Sequence, residues 1–254
     1  MDRNACRLKS ASLGGACMML SLVLPAYNEA AGLREMVEDL LEALTNAQIP
    51  FELILVDNGS QDGTKHVIHA LVGRDVRIKA TYIPVNRGFG WGVLCGLREA
   101  SGDVVGYMAS DGQVHPKDVA RLVELLDVES CDIAKVRRDV REDGSLRKFQ
   151  SGAFNLLMRR VFGISCGDVN GSPKIMRCDV LDRLVLTSRD WFLDAEIMIK
   201  AHKLGLTLAE LPIRARARVH GRSNVSIRSV FGFLWNIGRY RFGKGLSSWN
   251  ESRW

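Results

Sequence analysis

Three short apolar runs end in carboxylate-bearing turns, and these turns hold the side chains best suited to chemistry. Leu22-Val-Leu-Pro-Ala-Tyr-Asn runs into Glu29, Leu53-Ile-Leu-Val into Asp57, and Met108-Ala-Ser into Asp111. Asp111 and Gln113 flank Gly112, so a carboxylate and an amide oxygen stand two residues apart on an open backbone. Hard oxygen donors at that spacing suit Mg2+ or Mn2+ whose other ligands are phosphate oxygens and water. The alternative is a strand-to-helix turn in which Asp111 caps the next helix. Asp57 could accept hydrogen bonds from a base or ribose, or close an Asx-turn with Asn58-Gly59.

Other residues offer weaker signals. Asn86-Arg-Gly-Phe-Gly90 opens a helix, whose N–H groups favour anions, although close helix–sheet packing also explains the glycines. Arg137, Arg147, Arg218 and Arg222 carry permanent charge and can bind phosphate bidentately; each is otherwise a solvated surface arginine. Asp194 and Glu196 flank Ala195 on a helix, and side chains two apart do not share a face. At most one of them reaches a cleft as a general base, against the plain reading of an acidic first helical turn. His66, His69 and His202 have no partner at metal-ligand spacing and read as surface or core residues.

Such groups need strands to deliver them. Strand patterns cover residues 21–24, 51–56, 77–83, 103–108, 132–136 and 207–212, with a pair of strands over 169–176. Helical spacing of apolar residues covers 30–44, 62 or 64 to 71, 88–100, 117–126 behind Pro116, 146–162 and 192–204. Repeated β-α-β order with short connections predicts an α/β fold: a doubly wound, mostly parallel, Rossmann-like sheet with flanking helices. Ligands bind such sheets outside the carboxyl ends of the strands, where the three carboxylate turns would meet.

Composition bounds the rest. The chain of 254 residues is 46% hydrophobic and 25% charged, as in a folded globular protein, and is long enough for one large α/β domain or a domain with an appendage. A net charge of +6 calls for an anionic partner: nucleotide phosphates, an acidic membrane or nucleic acid. The basic residues form no aromatic-interleaved stripe outside the tail, which argues against nucleic acid. Six cysteines without a C-x-x-C pair read as buried reduced thiols and imply a reducing cytoplasm.

Taken together, the motifs resemble the large inverting glycosyltransferase family with the GT-A fold, within it the dolichol-phosphate mannose synthase-like branch. The similarity runs from about Leu20 to Val225. It implies nucleotide contacts from Pro25, Ala26, Tyr27 and Glu29, and from Val56 and Asp57 in Val56-Asp-Asn-Gly-Ser-Gln-Asp-Gly-Thr64. Met108-Ala-Ser-Asp-Gly-Gln113 matches the family's M-D-A-D-x-Q element, with Ala109 where the first Asp stands. Ala109, Ser110 and Asp111 would therefore meet the nucleotide sugar, and Asp111 with Gln113 the metal. Arg147-Lys-Phe-Gln-Ser151 resembles an R-x-x-x-S element, and Arg137 an arginine ending the preceding strand. Arg218-Val-His-Gly-Arg-Ser-Asn224 resembles R-x-x-G-x-S-K with Asn224 in place of Lys.

The resemblance divides the chain into a leader at 1–18, a GT-A domain at 19–225 and a basic, aromatic tail at 226–254. It implies transfer of a sugar from a UDP- or GDP-linked donor to a polyprenyl phosphate, with Asp111, Asp194, Arg147 and Arg218 as catalytic candidates. The alternatives are transfer to a saccharide or glycolipid hydroxyl, with Asp194 as base, and a catalytically weak protein that only binds the donor. In the tail, Ile227, Val230, Phe231, Leu234 and Ile237 fall at helical spacing among Arg228, Arg239, Arg241 and Lys244. A basic, aromatic amphipathic helix of this kind lies in a headgroup layer, in competition with packing on the protein's own core. The expected location is the cytoplasm, on the cytoplasmic face of a membrane.

Overall fold

The computed structural model describes residues 18–141, 145–216, 227–243 and 249. Apolar runs that alternation cannot explain become strands buried on both faces, as a sheet covered on two sides requires. β1 (Leu20–Ala26) and β2 (Phe51–Asn58) are buried throughout, followed by β3 (Ile78–Ile83) and β4 (Val104–Tyr107). β5 (Ile133–Arg141), β6 (Lys174–Arg177) and β7 (Leu208–Ala215) complete the sheet. The strand order is β3-β2-β1-β4-β6-β5-β7. All neighbours run parallel except β6, which is antiparallel to both β4 and β5. Chain order reverses on either side of β1, between β2 and β4, so a topological switch point lies there.

Helices cover both faces. On one side α1 (Leu33–Asn46), α2 (Thr64–Val72) and α4 (Pro116–Val128) pack with Leu22, Leu53 and Leu55. On the other, α3 (Phe89–Arg98), α5 (Ser145–Phe162), α6 (Cys178–Leu184), α7 (Leu193–Lys203) and α8 (Ile227–Phe242) pack with Val23, Ile54 and Val56. α3 sits unusually close to the sheet, because a side chain at Gly96 would meet Val23 and Val56.

Three expectations change. The strand pair over 169–176 is a single short strand, β6, since Gly171 N–H turns back to the Asp168 carbonyl and Pro173 has no N–H for a ladder. Among the described residues Cys178 is disulfide-bonded, whereas Cys95, Cys131 and Cys166 are free thiols, so the reading of all six cysteines as reduced does not hold. The tail helix α8 packs partly on the core. Ile237 and Tyr240 are buried, and the Phe233 ring meets Phe154 and Phe192 edge-on. Among the described residues no helix is long and apolar enough to cross a membrane.

Candidate active site

The carboxyl ends of β1, β2 and β4 lie side by side: Ala26 pairs with Asp57, and Val23 with Tyr107. The loops that leave them are stitched together. Asn28, held at φ 57°, donates its N–H to Ser60 Oγ at 3.1 Å, and its side-chain oxygen takes the Gln61 N–H at 2.8 Å. Glu29 N–H bonds Thr64 Oγ1 at 2.9 Å, and Ala30 N–H bonds Asp62 at 3.2 Å. Burial alone would raise the Asp62 carboxyl. The hydroxyl and N–H of Thr64 and the N–H of Ala30 outweigh it and hold Asp62 below its usual value. Asp57 is buried at the end of β2, with Oδ1 accepting the Ser60 N–H at 3.0 Å.

From β4 the chain passes through Met108 to the Asp111 turn. Ser110 is buried, and its hydroxyl donates to the Pro25 carbonyl at 2.9 Å, which ties this turn to the end of β1. Gly112 sits at φ 71° with open space beside it, a conformation that costs a side chain strain. The Gln113 N–H bonds Asp111 Oδ1 at 3.2 Å. β7 ends at the same place, because Arg216 N–H donates to the Gln113 carbonyl at 2.9 Å and Gln113 Nε2 approaches the Arg216 carbonyl at 3.5 Å.

These elements enclose a cleft lined by Glu29, Ser110, Asp111, Gly112 and Arg216, with Glu35 and Asp39 of α1 on its wall. Its position at the switch point is where a doubly wound sheet binds ligands. Among the described residues no cluster of three His, Cys, Asp or Glu side chains could hold a metal alone. The donor set at the turn is oxygen-only, the Asp111 carboxylate and the Gln113 amide. That chemistry fits Mg2+ or Mn2+ if phosphate oxygens and water complete the shell.

The expected residues divide three ways. Glu29, Ser110 and Asp111 line the cleft, Pro25 is bonded to Ser110, and Ala26 and Asp57 end the adjoining strands. Tyr27 is half-buried in the β1 loop, and Ala109 is half-buried beside Ser110. Val56 is different. Its side chain is fully buried in the core beneath α3, so only its backbone can face a ligand. Arg137 is half-exposed on β5 and held by Asp139 through two bonds of 2.6 and 3.0 Å, which raises the guanidinium further. Arg147 belongs to α5, but its side chain lies outside the described residues, as do Arg218, Arg222 and Asn224.

Asp194 and Glu196 lie in the first turn of α7. Both are buried, and neither lines the cleft. Asp194 Oδ1 accepts the Tyr107 hydroxyl at 2.6 Å and is ion-paired with Lys174, which is itself fully buried. Burial lowers the Lys174 ammonium, the Asp194 charge opposes that, and the result stays below the usual lysine value. Glu196 accepts Lys200 Nζ at 2.6 Å, Tyr240 OH at 2.7 Å and the Ser188 N–H at 2.7 Å. Two residues apart on α7, the carboxylates point apart as helical geometry requires, but each finds an internal partner instead of a cleft. Arg216 is a cleft residue that sequence reasoning missed, as are Glu35 and Asp39. The signal for Arg216 was the alternation along Leu208–Ala215, which continues into Arg216 at a strand end.

Comparison with known proteins agrees with this fold. Undecaprenyl-phosphate 4-deoxy-4-formamido-L-arabinose transferase of Pseudomonas fluorescens is 27% identical over 220 residues, 86% of this chain and 63% of that protein. Dodecaprenyl-phosphate galacturonate synthase of Rhizobium johnstonii is 31% identical over 224 residues, 86% of this chain and 65% of that protein. The chain thus spans less than two-thirds of the length of these relatives. Among solved structures, glucosyl-3-phosphoglycerate synthase from Mycobacterium tuberculosis in complex with phosphoglyceric acid aligns with TM-score 0.70 at 21% identity, covering 89% of this chain and 81% of that one. The same enzyme in complex with Mn2+, uridine-diphosphate and phosphoglyceric acid aligns with TM-score 0.68 at 22% identity, covering 88% and 78%. The likeness confirms the GT-A fold. The model of glycosyl transferase family 2 matches residues 21–185, and the chain belongs to that family.

Proposed function

We propose that this protein transfers a sugar from a nucleoside-diphosphate sugar to a polyprenyl phosphate, inverting the anomeric carbon. The observation that carries this reading is the meeting of Glu29, Ser110, Asp111 and Arg216 in one cleft at the switch point. On this reading Pro25, Ala26, Tyr27, the Val56 backbone and Asp57 surround the nucleoside, and Ala109 and Ser110 adjoin it. Asp111 and Gln113 would hold Mg2+ or Mn2+. When bound, that cation offsets the charge that develops on the departing diphosphate. Arg216, with Arg137, Arg147 and Arg218, supplies positive charge to the same oxygens.

The acceptor follows from two further supports. The named relatives act on undecaprenyl and dodecaprenyl phosphates. Asp194 and Glu196 are engaged internally, and a phosphate acceptor, anionic near neutral pH, needs no base to activate it. A phosphate oxygen forms the new bond to the anomeric carbon while the bond to the diphosphate breaks, its electron pair leaving with the nucleoside diphosphate. The chain's remaining task is alignment.

The test is a panel of UDP- and GDP-sugars with Mn2+ or Mg2+, with and without a short polyprenyl phosphate, scored for released nucleoside diphosphate. Turnover should need the lipid phosphate and fall by at least about tenfold in Arg216→Ala, as for loss of a charge-stabilising donor. Release that is indifferent to the lipid phosphate, but restored by a saccharide hydroxyl, would overturn the acceptor reading.

A further inference from the structure

We propose that the face built from α3, the segment leading into α7, and α8 docks on an anionic lipid bilayer, so that membrane contact involves the catalytic domain and not the tail alone. The proposal deepens the reading of a lipid-linked acceptor and rests on it for its purpose.

Three arginines surround one indole. Arg87, Arg98 and Arg189 lie 5.9, 5.4 and 4.5 Å from the Trp91 ring centre, and all three are exposed. Among the described residues no carboxylate pairs with any of them. The nearby acid Asp190 is already occupied, its oxygens taking the Asn236 amide at 3.0 Å and the Phe192 N–H at 2.9 Å. Glu99, beside Arg98, is exposed and makes no ion pair among the described residues. Guanidinium groups held over an aromatic face without a counter-charge are suited to phosphate oxygens.

The same short segment reaches in both directions. Trp191 stacks flat on Phe89 of α3, with centroids 4.5 Å apart, while Asp190 holds Asn236 of α8. Next to Asn236, Trp235 is 74% exposed, and Phe242 at the end of α8 is 86% exposed. Arg239 and Arg241 are exposed between them. Indole and phenyl groups flanked by arginine are what the headgroup layer accommodates.

The opposite helical layer has the opposite charge. On α1, Glu35, Glu38, Asp39 and Glu42 are exposed and outnumber Arg34 and the Arg74 that pairs with Glu38, whereas α5 has Arg159 and Arg160 exposed and no acid along its length. An anionic surface therefore attracts one layer and repels the other, which fixes orientation as well as affinity.

The test uses the full chain and sedimentation with vesicles of phosphatidylcholine, with and without phosphatidylglycerol. Binding should require phosphatidylglycerol and weaken by about fivefold for each of Arg98→Gln and Arg189→Gln, the contribution of one basic side chain near an anionic leaflet. Trp235→Ala should weaken it too, and Glu42→Gln on the other layer should not. Circular dichroism melts that match the parent establish that the variants are folded. Wild-type binding by Arg98→Gln and Arg189→Gln, equal binding to both vesicles, or equal binding to a soluble polyanion would overturn the proposal. Transfer to a water-soluble short-chain polyprenyl phosphate without vesicles, retained in Arg98→Gln, reports separately on the catalytic reading.

Discussion

Replacing Asp194 with Asn separates two roles that predict different losses. The carboxylate is 6% exposed and its partner Lys174 fully buried, so the pair is isolated from water. Removing one member of such a pair leaves an uncompensated interior charge and costs about 3–5 kcal/mol. The Tyr107 hydroxyl can still donate to the new amide oxygen, so little of the loss comes from that bond. For a domain whose total stability is about 5–15 kcal/mol, this is a large fraction. Tm should fall by roughly 6–20 °C for a chain of this size. Adding Lys174→Met, which removes the stranded charge at similar volume, should recover most of the deficit, and a double-mutant cycle reads the coupling directly. A general base would behave otherwise, losing about 100-fold or more in kcat with stability intact. Urea midpoints and turnover with a lipid phosphate acceptor, measured on all four proteins, decide. A single variant with unchanged stability and collapsed turnover would refute the structural assignment.

Three more outcomes follow from the geometry. Gly96→Ala places a methyl 2.9 Å from Val56 Cγ2 and closer still to Val23 Cγ1. Overpacking of about 1–3 kcal/mol then exceeds the ~1 kcal/mol that alanine gains in a helix, and thermal melts should show a net loss. Ala109→Asp adds a second carboxylate beside Asp111 and should lower the metal concentration for half-maximal turnover on the order of tenfold, since ligand charge tunes such sites; no change would mean the position faces away. Burial would raise Glu196, but Lys200, Tyr240 and the Ser188 N–H outweigh it and hold it below its ordinary 4.5. A depressed carboxyl stabilises the fold above that value, and the contribution disappears as pH falls through the lower folded value. Urea midpoints followed downward from neutrality should therefore drop below pH 4.5, with a shallower drop in Glu196→Gln.

Most of the sheet was legible because its strands are continuous apolar runs closed by turn residues. β1, β2 and β4 could be located from Leu22, Leu53 and the stretch before Met108, and with them the carboxylates they deliver. β6 was harder to see. It is four residues long and includes Lys174, a side chain that sequence reasoning assigns to the surface and that the fold buries. The setting of Asp194 was hidden for the same reason. Its partners Tyr107 and Lys174 are 87 and 20 residues away, and only tertiary packing brings them together. Arg216 was missed because one arginine at a strand end looks like any solvated arginine until the Gln113 carbonyl fixes its backbone in the cleft. Exposed and buried residues of α8 share one helical period, so the pattern alone could not separate core packing from an outward aromatic face.

The reversed strand β6 divides the sheet into a four-stranded block and a three-stranded block, joined along four residue pairs from Val104–Arg177 to Tyr107–Lys174. On the proposed reading the larger block grips the nucleoside, and the smaller one, which carries Arg137 and leads into Arg216, meets the diphosphate and whatever receives the sugar. A seam of this kind allows one specificity to drift while the other is conserved. Relatives that share the chain as far as Gln113 and diverge beyond it would then use a common donor with different recipients, and grafts joined there are a rational route to new pairings.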